Sequence, residues 1–155
     1  MPGRIDARLS ELGLSLPKPV SPVANYVPFV IAGRLIFLSG QVTLGPSGLE
    51  YVGQVGAEIS LEDAKSAARL CAINLLAQLR EACGGDLDRV TRCVKLTGFV
   101  NAVPGFTQHP EVVNGASDLM VAVFGEVGRH ARAAVGAGSL PRNVAVEVDA
   151  VFEIA

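Results

Sequence analysis

Residues 144 to 154 alternate without interruption. Val144, Val146, Val148, Ala150, Phe152 and Ile154 point one way, while Ala145, Glu147, Asp149, Val151 and Glu153 point the other. Side chains on an extended strand project to opposite faces in turn, so this run predicts a long strand with one face on a core and the other on water or a partner. A chain ending this way needs a sheet to receive the strand and something apolar to cover its inner face.

The cover comes from helical segments upstream. Ser60 with Asp63 reads as a capping box, and Gly84-Gly85 supplies a stop. Between them Leu61, Ala64, Ala68, Cys71, Leu75 and Leu79 fall on one face at helical spacing. Leu70, Ile73 and Ala77 form a second apolar patch that needs its own cover, from a second helix or another subunit. A second helix is expected from Pro110, at its first turn, to about Val127, with Gly128 closing it. "YVPFVIAGRLIFLSGQ" reads as two strands joined by a turn at Ala32-Gly33, "VTRCVKLTGFVN" as a third main strand, and residues 131 to 139 as a fourth before the last. "RIDARLSELG" gives a short N-terminal helix, and the Pro-rich "LSLPKPVSP" after it is an extended connector. The order β-β-α-β-α-β-β predicts a single α+β domain, a mixed sheet with two helices packed on one face.

Composition narrows the function. Counting Gly, apolar residues make up roughly three-fifths of the chain, more than a domain of 155 residues buries with ease, so an oligomer is expected. The net charge is -2 and the chain has only three lysines, Lys18, Lys65 and Lys95. No basic stripe calls for nucleic acid. Three cysteines without a C-x-x-C pair and two histidines without ligand spacing predict reduced thiols and no metal. The longest apolar run, "LMVAVF", is too short to span a bilayer, so no membrane partner and a cytoplasmic location are expected.

One residue breaks its surroundings. Arg132 sits among Ala, Gly and Val, and strand alternation places it on the face of Ala134, Gly136 and Gly138. Small neighbours leave room beside the guanidinium, whose planar donor fork matches a carboxylate. The residues alone favour a structural role for the same arginine. It would then pair with Glu147 if the last two strands form a hairpin through "SLPRN".

The segment "ARAAVGAGSLPRNVAVEVDAVF" resembles the C-terminal signature of the YjgF/RidA family, the reactive intermediate deaminases. "YVPFVIAGRLIFLSGQV", "RVTRCVKLTGFVN" and "VNGASDLMVAVFG" match further family motifs in the same order, so the similarity covers residues 24 to 155 and leaves 1 to 23 as an N-terminal extension. The resemblance implies a chorismate-mutase-like (YjgF-like) fold and a homotrimer with clefts between subunits. It also implies hydrolysis of enamine and imine intermediates such as 2-aminoacrylate to a 2-keto acid and ammonia, with neither metal nor organic cofactor. By the same resemblance Arg132 binds the substrate carboxylate, and Glu147 orients water or shuttles a proton. Tyr26, Ser39 and Asn114 line the cleft, with backbone amides near Ser39 and Gly40 assisting.

The chain departs from the family pattern at Ala133, where Ser or Thr is usual, and at Ala134, where Cys is frequent. These changes keep a second function open, a non-catalytic module binding a small carboxylate at the same clefts. The endoribonuclease activity attached to some relatives ranks third, because RNA binding needs clustered cations.

Overall fold

The computed structural model describes residues 2–155. Its main elements are α1 (Arg4–Glu11), β1 (Phe29–Ala32), β2 (Leu35–Gln41), β3 (Leu44–Gly45), β4 (Gly48–Leu49), α2 (Leu61–Ala82), β5 (Val90–Asn101), α3 (His109–Phe124), β6 (Ala131–Ala137) and β7 (Val146–Ile154). Five strands form one mixed sheet in the order β1-β2-β7-β5-β6, and β3 and β4 make a separate small hairpin. All neighbours in the large sheet are antiparallel except β5 and β6. A parallel pair needs a crossover, and α3 supplies it.

The expected alternation is realised from Val146 onward, whereas Val144 and Ala145 precede the strand and are both buried. Val146, Val148, Ala150, Phe152 and Ile154 are buried, and the residues between them are half-buried. Ile36 and Leu38 of β2 and Cys93, Leu96 and Val100 of β5 join them in the core. α2 and α3 cover this face together, α2 with Ala64, Ala68, Cys71, Leu75 and Leu79, and α3 with Val112, Val113, Ala116 and Met120. α2 begins as its sequence requires, with the Ser60 hydroxyl accepting from the Asp63 N–H at 3.1 Å.

Two close approaches set the position of α3. A Cβ on Gly115 would collide with the Lys65 backbone oxygen, so this glycine lets α3 touch the N-terminal part of α2. A Cβ on Gly98 would lie 2.4 Å from a Val113 methyl, so β5 also yields space to α3. Packing at interior density makes such vacancies positional constraints.

Several sequence expectations need correction. The last two strands form no hairpin, because β5 lies between β6 and β7 and a short helical turn at Pro141–Asn143 carries the chain across. The first turn falls on Gly33-Arg34, with Gly33 at φ +63°, not on Ala32-Gly33. α3 ends at Phe124, where Gly125 at φ 67° breaks it, and a 3₁₀ turn continues to Gly128. The second apolar patch of α2 is faced by the chain's own N-terminal connector, residues 15 to 22, across a cavity. α1 is anchored over a long sequence distance, its Arg4 and Ile5 N–H groups donating to the Asp88 carboxylate at 2.8 Å each. Those two bonds hold Asp88 below the ordinary aspartate range, that from Ile5 contributing most.

Among the described residues no helix is long and apolar enough to cross a membrane.

Candidate functional site

Arg132 lies on edge strand β6, paired with Leu96 of β5. Leu96 is buried under the helices, so Arg132 shares the helix-covered face of the sheet. Its NH1 donates to Asn114 Oδ1 at 2.7 Å and to Ser117 Oγ at 3.2 Å. Asn114 and Ser117 are three residues apart on α3, one helical turn, and thus face the strand together.

The network continues through His130. Ser117 Oγ lies 2.8 Å from His130 Nε2, and His130 Nδ1 lies 2.7 Å from the Gly128 carbonyl. A carbonyl only accepts, so Nδ1 carries the proton in the neutral ring and Nε2 accepts from the Ser117 hydroxyl. That leaves a Ser117 lone pair for Arg132. The donors run in one direction, from guanidinium to hydroxyl to imidazole to backbone.

No carboxylate pairs with Arg132 among the described residues. Its remaining guanidinium nitrogens make no hydrogen bond within the chain, yet they are not sealed from solvent. Its charge is therefore oriented by neutral groups and left uncompensated.

The vacancy expected beside Arg132 is not open. A Cβ on Gly136 would lie 2.8 Å from His109 Nε2, and Ala134 packs on the core. The small residues of β6 admit the first turn of α3, and neither of the two main cavities includes Arg132. Only at Gly138 would a Cβ meet open space.

Glu147 sits elsewhere. It pairs with Phe99 on the face away from the helices, and two strand spacings (about 10 Å) separate β7 from β6. A Glu147–Arg132 pair within one chain is thereby excluded. Burial, and secondarily the neighbouring Asp149, raise the Glu147 carboxyl above the ordinary glutamate range. Asp149 is also raised by burial, against the opposing influence of Thr97 and Lys95.

The β2–β7 ladder slips beside Glu147. Leu38 pairs with Ala150 but Gln41 with Val148, so Ser39 and Gly40 together oppose one residue. Such a bulge re-aims the strand and gathers side chains at its kink. Gly40 leaves room there for the Glu147 carboxylate, whose Oε1 would lie 2.9 Å from a Cβ. The Ser39 hydroxyl donates to the Val27 carbonyl at 2.7 Å and its N–H to Pro28 O at 2.9 Å. Ser39 thus ties down the Tyr26–Pro28 segment, and its amide is not free to hold an anion, contrary to expectation. Tyr26, 57% exposed, lines a cavity of about 680 Å³ together with Ser39 and Gly40.

The six predicted site residues therefore form two groups. Arg132 and Asn114 meet at the β6–α3 edge, and Tyr26, Ser39, Gly40 and Glu147 meet around the β2 bulge. Ser117 and His130 escaped the sequence reading. Their signal was present: Ser117 follows Asn114 by one helical turn, and His130 precedes Arg132 by two residues. All three cysteines are buried, and burial pushes their thiols up, that of Cys93 to about 12. They are core residues, not nucleophiles. No group of three or more potential metal ligands comes together among the described residues.

The YjgF/chorismate mutase-like endoribonuclease family model matches residues 6–154. Protein TCP17 of Trypanosoma cruzi is 48% identical over 153 residues, covering 98% of this chain and 95% of that protein. The crystal structure of Atu1372 from Agrobacterium tumefaciens, described as of unknown function, superposes with a TM-score of 0.91 at 49% identity, over 97% of this chain and 92% of that one. RidA from an Antarctic Psychrobacter superposes with a TM-score of 0.59 at 27% identity, over 88% of this chain and 94% of that one.

Proposed function

The chain belongs to the YjgF/chorismate mutase-like family, and from that membership and the two groups of site residues we propose that it is an imine/enamine hydrolase working at clefts between subunits of a homotrimer. The observation that carries the reading is the separation of Arg132 from Glu147. The cation and the carboxylic acid that the chemistry needs are both present, but on opposite faces of one sheet. A second copy, presenting its helix-free face at the first copy's β6 edge, unites them. That face has a reason to be covered, since Val30, Phe37 and Val135 stand on it between 43% and 51% exposed.

In such a cleft Arg132 grips the substrate carboxylate with the nitrogens that Asn114 and Ser117 leave free. An enamine first takes a proton at its terminal carbon and gives one up at nitrogen, which makes it the imine. Water then adds to the imine carbon, the C=N pair moves to nitrogen, and nitrogen takes a proton. The carbinolamine expels ammonia as the carbonyl forms. Glu147, whose raised carboxyl exchanges a proton more readily near neutrality, takes the proton from water and returns one to the departing nitrogen. Positioning supplies the remainder, because an imine beside a carboxylate is already electrophilic.

A carboxylate-binding module without turnover is the second reading, favoured by Ala133 and Ala134, which carry no polar group beside the arginine. The endoribonuclease reading in the family description ranks lower, given three lysines and a net charge of -2. The deciding assay is 2-keto acid release from freshly generated 2-aminoacrylate. The wild type should accelerate it and Arg132→Ala should not. Keto acid binding without acceleration would select the module, and full activity in Arg132→Ala would remove the assignment of that residue.

A further inference from the structure

The cavity beside the bulge is much larger than 2-aminoacrylate requires. At about 680 Å³ it falls among sites for whole drug-sized ligands. Its walls are mostly apolar, from Leu16, Pro17 and Val20 of the connector and Leu70, Ile73 and Ala77 of α2.

Two carboxamides on α2, four residues apart, add fixed polar groups to its α2 wall. Asn74 Nδ2 donates to the Val42 and Leu44 carbonyls at 3.1 and 3.0 Å, and Gln78 Nε2 donates to the Val20 carbonyl at 3.0 Å. Carbonyls accept only, so these bonds fix which end of each amide is nitrogen. The oxygens, Asn74 Oδ1 and Gln78 Oε1, are left as acceptors without a partner in the chain. Neither is sealed from open space, although Gln78 as a whole is only 3% exposed. Both residues line the cavity. The only charged residue in its lining is Lys18, so nothing there invites a cation.

We infer that the cavity receives the substrate's side chain, and that this side chain is large, apolar and tipped with an uncharged N–H or O–H donor, as in an indole or a phenol. Resting on the proposed deaminase reading, this deepens it: the reacting carbons stay at the bulge beside Gly40 and Glu147, while the side chain runs along α2 toward Gln78. A mostly apolar cavity with fixed acceptors in its wall rewards a donor there and penalises its absence.

Calorimetric titration of 2-keto acids, the products of the proposed reaction, tests this with the full-length protein. Pyruvate, phenylpyruvate, 4-hydroxyphenylpyruvate and indole-3-pyruvate are the probes. Both donor-tipped acids should bind about tenfold or more tightly than pyruvate, and 4-hydroxyphenylpyruvate more tightly than phenylpyruvate. Ala77→Phe and Ile73→Trp, each checked for a cooperative melt, should shrink the indole-3-pyruvate to pyruvate ratio toward one. Equal affinity for all four acids overturns the inference and leaves the deaminase reading standing, as does an unchanged ratio in both filled variants. Binding of none overturns both.

Discussion

Arg132 and Glu147 occupy opposite faces of one sheet, on strands that β5 holds apart. A single chain therefore keeps the two residues to which the proposed function assigns its chemistry apart. At one edge a cation is held ready by neutral partners. At the bulge an acid is kept partly dry. In the proposed oligomer, a second copy brings these halves together.

The cation's orientation rests on the Arg132–Ser117–His130 chain of donors. Ser117→Ala removes the middle link and His130→Phe the last one. Loss of one such hydrogen bond should raise KM for the imine by about two- to tenfold with kcat nearly unchanged, since the arginine remains and only its aim is loosened. His130→Gln, which retains an acceptor, should recover part of the loss. Steady-state kinetics separates the terms, and an equal fall in kcat for both variants would place these residues in the chemical step instead.

Glu147 sets activity against stability. Its folded-state value lies above its unfolded one because burial penalises the charged form. Stability is therefore lost as pH rises from the ordinary carboxylate range through the raised value, and the deficit is complete above it. Glu147→Gln removes that deficit. Its melting temperature should exceed the wild type's at neutral pH and converge on it in acid, while turnover falls by about 10²-fold or more. A variant less stable at neutral pH would show that the carboxylate is paired in the native assembly.

Gly115 is the contact on which α3 is seated. In Gly115→Ala the new methyl meets the Lys65 backbone oxygen, and backbone cannot swing aside as a side chain can. The cost should be about 1–3 kcal/mol, read as a lower denaturant midpoint with unchanged slope. KM should rise as well, because Asn114 moves with the helix. An unchanged midpoint would mean that the two helices are not held at this distance.

The elements and their faces were legible wherever periodicity was strong. The alternation of β7 from Val146 and the extent of β5 match the observed structure, and of the expected capping box of α2 the Ser60 hydroxyl cap is formed. Periodicity sorts a strand's residues into two faces but does not say which face the helices cover, and strand order decides that. Hence Arg132 and Glu147 looked like potential partners until β5 was found between them. Gly136 looked like a vacancy, although a small residue admits a neighbouring side chain, here His109, as readily as a ligand. Asn74 and Gln78 gave no signal at all. Carboxamides on a helix usually face water, and only the fold of the N-terminal connector encloses these two.

Subunit mixing tests the divided site most directly. Arg132→Ala and Glu147→Gln chains, each inactive alone, would be unfolded together, refolded as mixed oligomers and assayed for imine hydrolysis. If each cleft takes its arginine from one copy and its acid from the next, random mixing restores about a quarter of the clefts and a corresponding share of wild-type activity. Mixed oligomers that stay as inactive as their parents would contradict the account.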